Sequence, residues 1–423
     1  MARNLIRIYK YSQILFLILV IAFVFKYYGL DVQFLLSIQL CKRQLSSHIP
    51  VLYMQQFGKP KPNKKKICKY LKEATQGGWE LKPDLTRYEK KERERLDIET
   101  RLAMDWPALL YRNDSRCGTQ GPLTGYRLLA QCDPQSDKPC CHHSSGRCGN
   151  GPEFCNCDEC TDQRKFISAE LGNWVPNTCT LKEVSHNEAC KFLSEKDVSL
   201  VFIGDSLMRQ FHTMMLLLLT DDYLEGSIPF NATYNKKKLC RGEQQITNKV
   251  CSVEIVSKTT DELPLNSVCG GKVNLKVDLV QDYHRTLITD VSNKLKSILN
   301  LENHWVIAGV GLHYQLDFNA VKKEYLDKVW NILGESKNGW PKIIWIGIHG
   351  VHGFLRMQTG QSNAKIQNFN KKVNKYWEER NVTVIETFNM SVGLKSYDGR
   401  HYGFGFNRLK VQVLLNYLYQ AYN

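Results

Sequence analysis

Four strand-like runs, 198–203, 304–310, 342–349 and 382–387, the first three mostly apolar, stand between stretches whose apolar residues recur at helical spacing, 207–219, 318–334, 362–379 and 404–421. The first three, short and mostly apolar, predict strands buried on both faces. Their regular alternation with helices predicts a parallel sheet covered by helices on both sides. The expected fold class is α/β. The span 221–288 breaks the rhythm, with three cysteines and short β-rich, turn-rich pieces. It reads as an insertion over the sheet that shapes a groove.

The first run stops at Gly204-Asp205-Ser206, and the helical pattern begins at once. A strand-turn-helix of this kind presents a side chain at the carboxyl edge of a sheet, where open α/β sheets bind their ligands, beside the free N–H groups of a new helix. Ser206 is therefore a candidate nucleophile. A serine needs a base to take its proton and a carboxylate to orient that base, and Asp398-Gly-Arg-His401, just before the last helical pattern, supplies both. A lone Gly-Asp-Ser is commonly a turn or helix cap; the placement of both motifs at element ends favours chemistry. The Ser206 amide and Gly311 are the expected oxyanion donors, glycine allowing close backbone approach. Arg209, one turn after Ser206, faces the pocket or ties the helix by a salt bridge. His313 contacts substrate or is simply hydrogen-bonded, and His349 and His352 carry the same alternatives. No carboxylate neighbours those histidines, so no metal site is expected.

Gly204-Asp205-Ser206-Leu-Met-Arg209-Gln210 with its leucine-rich helix, and Asp398-Gly-Arg-His401-Tyr402-Gly403, resemble the first and last blocks of the PC-esterase branch of SGNH hydrolases. That branch includes trichome-birefringence-like polysaccharide O-acetyltransferases, neurexophilin-and-PC-esterase-domain proteins and the sialic-acid O-acetyltransferase. The intermediate stretches 308–313, 361–370 and 387–391 agree, so the likeness covers roughly 174–423. It implies an SGNH-like three-layer sandwich with Ser206, Asp398 and His401 as the triad and Gly204, Asp205, Arg209, Gly311 and His313 around the oxyanion and substrate. The chain departs from the pattern in having Ala, Gly and His at 308–313 where the family places an asparagine. Gly270 and Gly271 are candidates for the second-block glycine.

The amino terminus adds a location. Residues 1–12 carry Arg3, Arg7 and Lys10 with no acidic residue, and 14–25 are wholly apolar. This predicts a cytoplasmic tail (1–12) and a transmembrane signal anchor (13–30) with the rest of the chain beyond the membrane; a cleaved signal peptide is the rival. A stem or linker follows at 31–105, holding a Lys/Pro-rich spacer near 58–66 and a charged helix near 88–104 that is either solvated or a brace. The net charge of +15 owes part of its size to that lysine cluster. Without interleaved aromatics, and on the far side of a membrane, it does not signify nucleic-acid binding. The four sequons at Asn113, Asn231, Asn381 and Asn389 agree with a glycosylated protein of the Golgi or another secretory membrane.

Fifteen cysteines lie between 41 and 269, eight of them within 117–160. Beyond a signal anchor they are expected to form disulfides. Zinc held by Cys155, Cys157 and Cys160 with His142 and His143 is the alternative. An odd total makes Cys41 the natural bridge of a disulfide-linked dimer. The region 106–173 thus reads as a stapled module ahead of a catalytic domain at 174–423. Residues 140–155 also resemble the core of hevein-type chitin-binding modules, with Arg147 and Ser145 at or near positions where stacking aromatics are expected.

The expected function is a lumenal carbohydrate O-acetyltransferase or O-acetylesterase. It needs no bound cofactor, an acyl donor such as acetyl-CoA or another acetyl ester as co-substrate, and a carbohydrate or glycoprotein acceptor. Resemblance to Golgi acetyltransferases tilts the expectation towards transfer. The alternative is a catalytically inactive protein that keeps the fold and binds glycan or an extracellular partner.

Overall fold

The computed structural model describes residues 66–103, 106–118, 129–157, 159–271, 275–281, 288–351 and 361–422. The expected tail, anchor, lysine spacer, Cys41 and His352 lie outside them. Among the described residues no helix is long and apolar enough to cross a membrane.

Among the described residues ten strands form three sheets. β1 (Gly77–Leu81) pairs antiparallel with β5 (Gly172–Pro176), and β2 (Cys140–His142), β3 (Arg147–Gly149) and β4 (Cys160–Asp162) make a small antiparallel sheet. The main sheet contains β6 (Ser199–Gly204), β7 (Val277–Gln281), β8 (His304–Gly309), β9 (Lys342–Ile346) and β10 (Thr383–Ile385) in the order β10-β9-β8-β6-β7. All its neighbours are parallel. β7 is the strand the apolar pattern missed, lying inside the stretch read as an insertion. Its two ladder-buried residues, Val277 and Leu279, flank Asp278, and an edge strand needs apolar residues only at alternate positions.

The central strands are buried on both faces. Val201, Ile203, Val306, Ala308, Ile343 and Trp345 point into one core, with Val291 and Leu295 of the helix Ile288–Ser297, Val329 and Ile332 of Asp327–Gly334, and Phe369 and Trp377 of Asn363–Glu378. The alternate residues face the other way. There Phe202 meets Phe211 of the helix Ser206–Thr220 edge-on at 5.3 Å, and Trp305 meets Tyr417 of the C-terminal helix Phe404–Ala421 at 5.9 Å. The period-two alternation of side chains along each strand produces this helix-sheet-helix sandwich. The helix Ser206–Thr220 is buried along nearly its whole length. The apolar run of its second half, Met214 to Leu219, follows from lying between the sheet and other helices.

Among the described residues seven disulfides join Cys68–Cys179, Cys117–Cys141, Cys132–Cys148, Cys140–Cys155, Cys157–Cys160, Cys190–Cys269 and Cys240–Cys251. The thiolates that zinc would need at Cys155, Cys157 and Cys160 are thus in disulfides, leaving those sulfurs bonded to sulfur. Residues 66–103 belong to the folded unit: β1 pairs with β5, Cys68 is bonded to Cys179, and Trp79 Nε1 donates to the Met390 carbonyl at 2.7 Å. The charged helix is a brace. Arg87–Leu102 is capped by Thr86, whose hydroxyl accepts from the Glu89 N–H, and it buries Arg93, Asp97, Thr100 and Arg101. Asn113, Asn231, Asn381 and Asn389 are all exposed.

Candidate active site

In a parallel sheet ordered 2-1-3-4-5 the crevice lies where the winding reverses, between the carboxyl ends of the first and third strands. Here those strands are β6 and β8, paired through Gly204 and Gly309. β6 stops because a Cβ on Gly204 would sit 2.2 Å from the Gly309 carbonyl oxygen and 2.5 Å from Met208 Cγ. Only glycine brings the two strand ends this close. Asp205 then caps the helix, its Oδ1 accepting from the Leu207 N–H at 3.0 Å, and Ser206 becomes the first helical residue. The Ser206 N–H is among those a helix start leaves without an intrahelical acceptor.

Ser206 Oγ lies 2.7 Å from His401 Nε2, and His401 Nδ1 lies 2.6 Å from Asp398 Oδ2. The loop that brings in the last two residues is itself held. Asp398 Oδ1 accepts from the backbone N–H groups of Arg400 at 2.8 Å and His401 at 2.6 Å, and the Ser396 hydroxyl donates to the His401 carbonyl at 2.5 Å. Burial pushes the Asp398 carboxyl up, but the His401 charge and the hydrogen bonds from His401 and Arg400 outweigh it and hold it below its ordinary range. Asp398 is therefore the ionised member, and a carboxylate on Nδ1 leaves Nε2 as the acceptor facing the serine.

The remaining expected residues fall into two groups. Asp205, Arg209 and His313 share one electrostatic environment: burial raises Asp205, opposed first by the charge of His313 and then by the Leu207 N–H, His401 and Arg209. His313 is exposed on the loop after β8, whereas Arg209 is buried and is pulled down to about 10 by that burial, against the fields of Tyr397 and Asp205. Gly311 follows β8 two residues after Gly309; its Cβ position is filled by Ile348 and Phe369, at 2.6 and 2.7 Å.

Gly270 and Gly271 belong elsewhere. Their neighbour Cys269 is bonded to Cys190, whose sulfur lies 3.9 Å from the Leu219 carbonyl at the far end of the helix Ser206–Thr220. At 1.5 Å per residue that end is about 20 Å from Ser206. The disulfide holds these glycines there, so neither is an oxyanion donor.

Three further residues support the loop or the turn: His349, for which the hydrogen-bonded alternative holds, and Tyr397 and Lys410, which the sequence did not single out. His349 Nε2 bonds the Arg400 carbonyl at 2.9 Å while its ring packs against Tyr402 and Phe406, and burial depresses it well below the ordinary range. Tyr397 accepts a hydrogen bond from Gln210 Nε2 at 2.7 Å, joining loop to helix. Lys410 is buried against the nucleophile turn. The available signal was a single lysine inside a mostly apolar stretch, Leu409 to Leu415, whose other polar residue is Gln412.

No family model matches the chain, and no curated protein does. Among solved structures it is similar to a member of the lipolytic protein G-D-S-L family from Veillonella parvula, at 14% identity and a TM-score of 0.29 over 51% of this chain and 96% of that one. It is also similar to an acetylxylan esterase from Geobacillus stearothermophilus, at 17% identity and a TM-score of 0.28 over 52% of this chain and 93% of that one. Likeness of this degree bears on neither activity nor substrate, which have to be argued from the site.

Proposed function

We propose that the chain is an acyl-ester enzyme of the SGNH type, acting through an acyl-Ser206 intermediate on O-acetyl groups of carbohydrate. The observation that carries the reading is the continuous hydrogen-bonded relay Ser206–His401–Asp398 at the switch point of a parallel sheet. The PC-esterase resemblance of the two motifs narrows the ester class to O-acetyl sugars.

In the first half-reaction Ser206 Oγ adds to the acetyl carbonyl carbon as its proton passes to His401 Nε2. The oxygen that becomes negative is met by the Ser206 amide and, on this proposal, by Gly311. One such donor is worth roughly 3 to 4 kcal/mol of barrier. The tetrahedral species collapses with cleavage of the ester C–O bond, and His401 returns the proton to the departing alkoxide. In the second half an incoming hydroxyl gives its proton to His401 as it attacks the acyl carbon, the bond from that carbon to Ser206 Oγ breaks, and His401 returns the proton to Oγ. Water makes the reaction hydrolysis and a sugar hydroxyl makes it transfer. Transfer is our preferred assignment, with acetyl-CoA or another acetyl ester as donor. The disulfides and exposed sequons support placing this chemistry in the lumen of the Golgi or another secretory compartment, behind the amino-terminal anchor. The hevein-like segment would serve as an accessory staple there.

The test is mass spectrometry of the full-length chain after brief exposure to a fluorophosphonate, with Ser206→Ala and His401→Ala in parallel. The expected result is one adduct on Ser206, absent in the first variant and slow in the second. Folded wild-type protein that takes up no label would leave the inactive binding protein as the better account. If the label forms, O-acetylated oligosaccharides with and without a sugar acceptor then separate hydrolysis from transfer.

A further inference from the structure

Leu207, the residue after the nucleophile, is gripped at both ends of its backbone. Its N–H is taken by the Asp205 carboxylate at 3.0 Å, and its carbonyl accepts from Lys410 Nζ at 3.3 Å. Lys410 comes from the C-terminal helix, which starts three residues after His401. It is only 2% exposed, with its ammonium 5.0 Å from the centre of the Phe211 ring and 5.5 Å from that of Phe406. Beside it a small cavity runs under the nucleophile turn, lined among others by Asp205, Gly309, Gly347, His349 and Thr387. Burying an ammonium costs several kcal/mol unless polar partners meet it. Its hydrogen-bonded partner here is the Leu207 carbonyl, and the Asp205 carboxylate acts on it through its field; the two residues flank Ser206.

We propose that Lys410 is a positioning residue of the serine site: through the Leu207 carbonyl, whose own N–H is held by the Asp205 carboxylate, it struts the nucleophile turn against the helix that follows the His401 loop. The two halves of the relay are far apart in sequence, 195 positions between Ser206 and His401. Lys410 links them directly beneath the reacting atoms. It also adds a positive charge to the Asp205 field, beside those of His313, His401 and Arg209. This role rests on the serine reading of the previous section.

The strut depends on charge. Burial pulls Lys410 down to about 7, against the field of Asp205. The other charged or titratable groups facing this space are Arg209 from the nucleophile helix, His313 from the loop after β8, His349 after β9, and His401 and Asp398 from the catalytic loop. An arginine at 410 would keep its charge where lysine begins to lose it. A methionine would fill similar space without charge.

The experiment is the second-order rate of fluorophosphonate labelling of the full-length chain against pH, for wild type, Lys410→Met and Lys410→Arg, with Ser206→Ala as blank and melting curves alongside. We expect Lys410→Met to label roughly 10- to 100-fold more slowly than wild type at pH 6. That gap should narrow as the pH passes about 7. Over the same interval the rate of wild type relative to Lys410→Arg should fall. Should Lys410→Met fail to fold, the wild-type to Lys410→Arg ratio decides alone. Equal rates in a folded Lys410→Met, or ratios that do not change with pH, would overturn the role of Lys410 and leave the serine enzyme standing. No labelling of wild-type Ser206 would remove the serine reading, and this role with it.

Discussion

The main sheet and the cysteine-rich region are ordered by opposite means. In the first, Val201, Ile203, Val306, Trp345, Phe369 and Trp377 share one core, and the strands are buried on both faces. In the second, the buried cluster consists of Cys117, Cys132 and Cys141 with Cys148 packed on it, and strands of three residues could not stand alone. One region holds its geometry by dispersion and exclusion of water, the other by covalent closure of loops. The difference teaches where catalytic precision can be built. A relay needs atoms placed to a fraction of an ångström, and close packing on a rigid sheet provides this. Covalent staples in a loop-rich module hold chain segments together without filling a core.

The strongest way to sharpen this contrast leaves both regions intact. Asp398→Asn should preserve melting behaviour and all disulfides yet reduce Ser206 labelling by roughly 10³- to 10⁴-fold, because an amide no longer selects the histidine tautomer that accepts the serine proton. A loss under tenfold would mean that the Arg400 and His401 backbone contacts, rather than the carboxylate charge, are what His401 requires.

Attacking the packed region comes next. Trp377 is fully buried between Trp345 and Trp330, at centroid distances of 5.7 and 6.3 Å. Trp377→Ala should cost about 3 to 5 kcal/mol of unfolding free energy. Labelling should fail at the same denaturant concentration at which the fold does. The counterpart is the double variant Cys117→Ser with Cys141→Ser, which opens a loop of 24 positions. About 3 kcal/mol of local stability should go with it, read as faster proteolysis between 117 and 160 while Ser206 labels at its normal rate. Parallel loss of labelling would show that the module, too, holds the site.

How much of this could be read in the sequence follows from the same physics. β6, its turn and the nucleophile helix were legible because burial on both faces writes an unbroken apolar run and a cap residue marks its end. Asp398 and His401 were legible because three positions of one loop suffice to pair them. Lys410 was not, since nothing near it in sequence names Leu207 as its partner. β7 was not, since an edge strand of five residues with one aspartate carries too short a signal. The second-block glycine failed for a third reason: Gly270 and Gly271 answer to the Cys190–Cys269 bridge, and cysteine spacing alone does not state a pairing.

The smallest effect tests the seam between the two regions. Arg93 of the brace helix donates to both oxygens of Glu243 at 2.7 Å and to Asp97 at 2.7 Å, with Glu170 3.9 Å away. Glu170 in turn accepts from the Gly405 N–H at 2.9 Å, at the start of the C-terminal helix, and Lys395 lies 3.5 Å from Asp97. Three carboxylates thus share one guanidinium. Burial, with Glu170 and Asp97 adding to it against Arg93, pushes the Glu243 carboxyl up to about 7. A carboxyl raised in the folded state favours folding while protonated, so its contribution is complete below the ordinary range near 4.5 and is lost as pH rises through about 7. Glu243→Gln carries a neutral amide at every pH and should lose less melting temperature than wild type between pH 5 and pH 8, each kcal/mol retained being worth about 2 to 4 °C. Melting curves of the two proteins at both pH values decide it. A larger fall in Glu243→Gln would mean that the Arg93 pair is ionised throughout, and that the brace is locked onto the catalytic loop by charge rather than by a shared proton.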